Sequence, residues 1–388
     1  MSDVHNYNII FITHYTELYG ANRSLLNLID GLSLNGINNI TVLTPVAGKI
    51  NEMLDKKKIR NLVIPFKNET HYTNQKNNFL KEYAKFFYNW YVVFRYGKKI
   101  EFTRDTIIHT NASVTFFGAY LSAWFKTPHV WHIREFGADD YNIKYNYGYK
   151  YFQRWLNKTS AVIAISKAIY DKRLQHCTAS IKNIIYNGVI FSKDLNASIA
   201  KHKDVLKDKV TFGIIGVISK EKGQEDAIDA FILLQKKFIN TQLLITGDGD
   251  SAYIKKLRTK CKENNLQEKI IFTGFVEDAD GFYSSIDCLL MCSHNEALGR
   301  VTIEAMSKGV PVIGFDNAGT SEIIRDGYNG FLYKIRPTEL ADKMQIIIQD
   351  ESIRSSIVTN AFETVKQNFT IERYTGAVKE IYQQLLNK

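Results

Sequence analysis

Short apolar runs recur along the chain, each followed by a longer amphipathic stretch, and this alternation constrains the fold more than any other feature. Runs at Asn8–Thr13, Ile40–Leu43, Leu62–Pro65, Ile107–Thr110, His129–Ile133 and Ala161–Ile165 read as buried strands, with a helix at Asn22–Leu32 after the first. A second series follows at Val210–Gly216, Gln242–Thr246, Lys269–Thr273, Asp287–Met291 and Val310–Gly314. Strands covered on both faces lose polar alternation, and parallel neighbours need a crossover helix between them. The pattern predicts an α/β protein of two doubly wound, Rossmann-like parallel-sheet domains, with ligands at the carboxyl ends of the strands. Asn187-Gly188 is a turn signal between the two series and marks the expected hinge.

A chain of 388 residues suits two domains, and 45% hydrophobic residues, 23% charged and only 5 prolines exclude disorder and collagen. Cys177, Cys261, Cys288 and Cys292 lack paired zinc spacing. Cys288 and Cys292 read as small buried residues beside a strand, the alternative being ligands, and few cysteines fit a reducing cytosol. The first apolar run, Ile9–Ile12, is far shorter than the roughly 18 residues a span needs. It has no basic flank or cleavage site, so a cytoplasmic protein is expected.

Charge divides unevenly. Residues 1–192 hold 24 Lys and Arg against 13 Asp and Glu, a net of +11, whereas residues 193–388 hold 26 against 27, a net of −1. An anionic partner for the first half is expected, the alternative being a basic surface that only confers solubility. Within it, FLKEYAKFFYNWYVVFRYGKK sets Phe79, Tyr83, Phe86, Phe87, Trp90 and Phe94 on one helical face, with Lys81, Lys85, Arg95, Lys98 and Lys99 on or beside it. Such a helix fits an anionic membrane surface; a core helix with a solvated rim is the alternative.

The chemistry concentrates in the second half. In MCSHNEALGRVTIEAMSKGVPVIG a strand ends near Met291, a loop carries Glu296, and a helix runs from about Gly299 to Lys308. Glu296 precedes that helix, where free N–H groups and the positive dipole end gather, and Glu304 lies two turns further in. The N–H groups of Ala297, Leu298, Gly299 and Arg300 form an anion cradle. This arrangement suits a sugar on one carboxylate and a ribose diol on the other; a helix cap plus an ordinary helical glutamate is the alternative. Three more glycine loops follow strands: GVISKEKG with Lys220 and Lys222, TGDGD, and FDNAGTSE. Together they point to a diphosphate. Asp248 and Asp250 form a D-x-D that a metal would need, but the surrounding glycines read as a turn and Lys222 supplies charge without metal. In the first half, Gly20 stands just before a helix, where a phosphate or sugar can approach, and His132 ends an apolar strand as a candidate catalytic group, a structural histidine being the alternative.

These residues resemble glycosyltransferase family 4, the retaining GT-B enzymes of bacterial surface-polysaccharide type. EALGRVTIE is similar to that family's signature of two glutamates eight apart, followed by EAMSKGVPVIG. The likeness extends through TGFVED, AGTSEIIRDGYNGFL, YNGV and AISK, and in the first half through GANRSLL and WHIRE. It implies two domains facing a cleft: residues 1–187 for the acceptor, with a C-terminal helix of about 371–388 packing back on them, and residues 188–370 for the nucleotide-sugar donor. It further implies that Glu304 holds the ribose and Glu296 faces the donor sugar. Lys222 would bind the diphosphate, Val276 lie near the base, Gly20 admit the phosphates, and His132 contact the sugar near its anomeric carbon.

The chain departs from the family pattern at Val217, where an arginine is usual, at Ala318-Gly319 and at Tyr19-Gly20, where paired glycines are usual. Lys220 is the candidate replacement for the arginine. The expected reaction is metal-free transfer of a hexose-type sugar from a UDP- or GDP-sugar, with no cofactor and no nucleic acid. Lys222 and helix amides stabilise the leaving diphosphate. No second carboxylate is placed for double displacement, so front-face attack is expected. The acceptor is expected to be a polyprenyl-diphosphate-linked saccharide at the inner membrane face, with a soluble acceptor as the alternative. Other readings are a GT-B epimerase and a non-catalytic nucleotide-sugar binder. A nicotinamide enzyme fits poorly, since its G-x-G-x-x-G is missing after the first strand.

Overall fold

The structure is a computed structural model and describes residues 7–73, 78–137, 142–201, 209–276 and 279–387. The Glu277-Asp278 pair of TGFVED and the side chain of Phe79 lie outside that description. The chain divides into two compact units, one of Met1–Gly188 with Ile371–Lys388, the other of Val189–Thr370.

The first unit is built on β1 (Asn8–Ile12), β2 (Ile40–Thr44), β3 (Arg60–Val63), β4 (Thr70–Tyr72), β5 (Thr106–Thr110), β6 (His129–Ile133), β7 (Ile143–Tyr145), β8 (Ala161–Ala164) and β9 (Ile181–Ile184). Seven of these form a parallel sheet in the order β3-β2-β1-β5-β6-β8-β9, while β4 and β7 pair separately and antiparallel. β1, β2, β5, β6 and β8 are buried along their whole length, as their β-branched and aromatic composition requires. The helix Ile371–Leu386 returns to this unit and puts Tyr374, Val378, Ile381 and Tyr382 into its core. It lies close against the helix Gly20–Leu34: a Cβ on Gly31 would stand 2.0 Å from Thr375 Oγ1, so only glycine admits this approach.

The second unit holds β10 (Val210–Ile215), β11 (Thr241–Thr246), β12 (Ile270–Gly274), β13 (Cys288–Met291), β14 (Val312–Phe315) and β15 (Phe331–Tyr333), parallel in the order β12-β11-β10-β13-β14-β15. Both units are thus doubly wound α/β sheets. All four cysteines are free and buried.

Several expectations shift. The strand placed at Leu62–Pro65 runs earlier, over Arg60–Val63, because register with β2 pairs Arg60 with Thr41. The helix placed from Gly299 to Lys308 spans Arg300–Ser307, with Gly299 as its cap at φ +92. The helix Phe79–Tyr96 departs more instructively. Its buried positions include Glu82, Asn89, Val92 and Val93. Phe86 and Trp90 turn inward onto Tyr120, at ring distances of 5.9 and 5.1 Å. Leu80 (83% exposed), Tyr83, Phe87 (66%), Tyr91 and Phe94 face outward, joined by Trp124. The aromatic stripe is therefore split. Trp90 is a packing residue, and the outward face is apolar surface rather than core. Lys85, taken as a surface cation, is ion-paired to the buried Glu82 at 3.0 Å. Lys81, Arg95, Lys98 and Lys99 are exposed, and Lys99 stands over the Tyr96 ring.

Candidate active site

In the second unit the loops after β10, β13 and β14 meet. The loop after β10 turns through Gly223, at φ +70, whose missing Cβ would lie 2.1 Å from the Cys292 carbonyl oxygen. Only glycine allows this approach, and it brings Lys222 beside the loop that leads into the helix Arg300–Ser307. The His294 N–H donates to the Glu221 carbonyl at 2.9 Å and locks the two loops together. Lys222 Nζ then lies 2.7 Å from Glu296 Oε2, with both side chains mostly buried. The loop after β14 joins from the other side: Gly319 N–H donates to the Glu296 carbonyl at 2.9 Å, and Asn317 donates to the His294 carbonyl.

Gly299 caps that helix, and in its first turn the Thr302 N–H donates to the Gly299 carbonyl at 3.0 Å. Ala297, Leu298 and Gly299 are buried. Glu304, one turn further in, is fixed at both oxygens. Oε1 accepts from Arg300 Nε at 2.7 Å and Oε2 from the Tyr283 hydroxyl at 2.8 Å. Each carboxylate oxygen has a second lone pair, so Glu304 retains acceptor capacity for a diol. The side chains of Arg300 and Tyr283 were not foreseen. The Arg300–Glu304 spacing is the i,i+4 signal of helical ion pairs, whereas nothing in sequence links Tyr283 to Glu304.

Behind this site, Asp226 accepts from His294 Nε2 at 2.8 Å and from Arg336 Nη1 at 3.1 Å. Burial raises the Asp226 pKa, but the bonds from His294 and Arg336 outweigh it and hold the carboxyl below its ordinary value. The pair Asp248 and Asp250 serves its own loop. Asp250 caps the helix Ser251–Glu263 by accepting from Tyr253 N–H, and Asp248 accepts from Gly249 N–H. Among the described residues no group of three or more His, Cys, Asp or Glu is placed to hold a metal. Val217, where an arginine was usual, is half exposed, and its carbonyl accepts from Gln224. Lys220 is exposed. Ala318 takes φ +48, a left-handed conformation that disfavours any residue with a Cβ and explains the glycine usual there. Val276 is half-buried.

In the first unit, Gly20 opens its helix, and a Cβ there would meet nothing within 4 Å, so the space before it is open. His132 is fully buried at the end of β6. Its Nδ1 lies 3.2 Å from His109 Nε2 and 3.3 Å from Arg134 Nη2. Burial, then the Arg134 charge and His109, hold His132 well below the ordinary histidine range, so it is neutral. Arg134 is itself fixed by Asn111, Asn187 and Tyr374.

Residues 197–364 match the family described as Glycosyl transferases group 1, and residues 19–193 match Glycosyltransferase Family 4. The chain is 26% identical over 267 residues to the capsular polysaccharide biosynthesis glycosyltransferase CapM of Staphylococcus aureus, covering 62% of this chain and 67% of that protein. It is 26% identical over 408 residues to the alpha-monoglucosyldiacylglycerol synthase of Acholeplasma laidlawii, covering 98% of this chain and 97% of that one. Among solved structures, Anabaena Alr3699/HepE in complex with UDP and glucose superposes with a TM-score of 0.77 at 21% identity, over 97% of this chain and 99% of that one. TarM gives a TM-score of 0.77 at 14% identity, over the whole of both chains.

Proposed function

This chain belongs to the glycosyltransferases of GT-B fold, and we propose that it is a retaining enzyme moving a hexose-type sugar from a UDP- or GDP-sugar to an acceptor hydroxyl. The observation that carries the reading is the Lys222–Glu296 pair beside the first turn of Arg300–Ser307, with Glu304 fixed one turn further in. A nucleoside diphosphate needs a cation and N–H donors for its phosphates and an acceptor pair for its ribose. Lys222 with the Ala297–Arg300 amides supplies the first, and Glu304 the second. Val276 lines the base, and Gly20 leaves room for the phosphates.

As the glycosidic bond breaks, negative charge grows on the diphosphate, where Lys222 and the helix amides stabilise it without metal or other cofactor. Positive charge grows on the sugar, where Glu296 offsets it. The acceptor attacks from the face the diphosphate leaves, and the diphosphate takes its proton. His132 contacts the sugar.

We further propose that residues 1–187, with the C-terminal helix, bind the acceptor and residues 188–370 the donor. The acceptor is a polyprenyl-diphosphate-linked saccharide of capsule or O-antigen-type assembly, met at the inner membrane face. The exposed face of Leu80, Tyr83, Phe87, Tyr91 and Phe94 beside Lys81, Arg95, Lys98 and Lys99 supports a peripheral docking surface. No helix among the described residues is long and apolar enough to cross a membrane. CapM, named for capsular polysaccharide biosynthesis, supports this pathway.

A thermal-shift screen of UDP- and GDP-sugars tests the donor. A ligand at 100 times its dissociation constant adds about 2.7 kcal/mol, so one nucleotide series is expected to raise Tm and the corresponding Glu304→Gln shift to shrink. No shift with any nucleotide sugar would overturn the reading.

A further inference from the structure

His132 Nε2 is buried and has no hydrogen-bond partner among the described residues. A buried N–H or bare nitrogen left so bears its full desolvation cost, which a ligand atom would relieve. Which of the two it is follows from the ring's other nitrogen. Arg134 Nη2 stands 3.3 Å from His132 Nδ1, and a guanidinium only donates. Nδ1 therefore carries the lone pair, and the neutral ring keeps its proton on Nε2.

The same logic runs outward. His109 Nε2, 3.2 Å from that lone pair, must bring a hydrogen to it. His109 Nδ1 is then an acceptor, and the Tyr382 hydroxyl donates to it at 2.6 Å. Tyr382 belongs to the C-terminal helix and is fully buried in the first unit's core. Tyr374, two turns earlier on that helix, lies 2.9 Å from Arg134 Nη2. The returning helix thus holds both partners of His132 Nδ1.

We propose that Arg134, with His109 and Tyr382 reinforcing it as positioning residues, holds His132 in the Nε2–H tautomer, so that His132 acts as a hydrogen-bond donor to a substrate oxygen and not as a base. The role in transfer rests on the glycosyltransferase reading above; the tautomer does not.

Protein labelled with 15N-histidine tests it, because protonated and bare ring nitrogens resonate in separate ranges. The signals of His132 and His109, two of the chain's 9 histidines, are assigned by their loss in His132→Gln and His109→Gln. In the ligand-free wild type, His132 is expected to show a protonated Nε2 and a bare Nδ1. Tyr382→Phe keeps the ring and removes the hydroxyl. It is expected to move the His109 signals toward a tautomer mixture and to shift His132 Nδ1. Because Arg134 still donates to Nδ1, His109→Gln and His109→Leu are both expected to preserve the His132 tautomer, with the leucine variant shifting the Nδ1 signal further. In transfer assays Tyr382→Phe should lower kcat by about tenfold, with donor KM within about twofold, as for an interaction made in the transition state. A His132 protonated on Nδ1, or ring signals unmoved in Tyr382→Phe, would overturn the proposal. If the tautomer holds while no sugar is transferred, the functional reading fails and the relay stands.

Discussion

Lys222 Nζ lies 2.7 Å from Glu296 Oε2, so the two charges on which transfer is expected to depend are spent on each other before substrate arrives. On the proposed reading, a diphosphate at Lys222 would compete with Glu296 and free that carboxylate to turn toward the sugar. Donor binding would thereby arm the group needed as positive charge develops. Lys222→Ala and Glu296→Ala are each expected to cut kcat about 100-fold or more, the scale for losing one transition-state charge partner. Activity is expected to survive EDTA. Loss with EDTA, restored by manganese, would return Asp248 and Asp250 to consideration and sink the metal-free mechanism.

Glu304 is held by Arg300 and Tyr283, which fixes the orientation of its carboxylate. Glu304→Gln is expected to raise donor KM several-fold with the fold intact. Tyr283→Phe is expected to raise it less, since Arg300 still holds the carboxylate. Steady-state kinetics at saturating acceptor separate the two; an unchanged KM in Glu304→Gln would make Glu304 an ordinary helical residue.

Docking on lipid makes a separate demand. Each exposed Lys or Arg near an anionic surface contributes about 1 kcal/mol. Sedimentation with anionic vesicles should therefore show binding that weakens with salt. Replacing Lys81, Arg95, Lys98 and Lys99 with Gln is expected to abolish it. Lys85→Gln alone should matter little, because Glu82 already neutralises Lys85. A wild type that ignores such vesicles at low salt would point to a soluble acceptor.

Stability carries a pH signature of its own. Burial pushes the Glu69 carboxyl up to about 7, although bonds from Phe116 N–H and Asn89 pull the other way. Below the ordinary value near 4.5 both folded and unfolded chains hold the proton. As pH rises from there to about 7 the unfolded chain ionises first, so stability falls through that window. The shift corresponds to about 3 kcal/mol. Glu69→Gln is expected to gain roughly that much relative to wild type between pH 4 and pH 8 in denaturant melts. An unchanged difference would mean that Glu69 ionises freely in the folded state.

The central strands were legible because a strand buried on both faces is an unbroken apolar run, as in NIIFI and HVWHI. β9 and β15 were not foreseen. They are edge strands, and IKNI is buried only at its first residue, so no such run marks it. The loop carrying Glu296 and the helix carrying Glu304 were readable from turn and cap signals. The helix Phe79–Tyr96 was readable as a helix but not in its orientation. Both its faces carry aromatics, and its buried side contains Glu82 and Asn89, which hydrogen bonds to Asn146, Lys67 and Glu69 make tolerable. The buried relay to His132 was invisible because Tyr382 lies 273 residues from His109.

The most direct measurement is the anomeric configuration of the product, read by NMR of the sugar transferred from whichever nucleotide sugar stabilises the protein. The account predicts transfer to an acceptor hydroxyl without added metal, with the donor's anomeric configuration kept. An inverted linkage, or an epimerised donor formed without any acceptor, would contradict it.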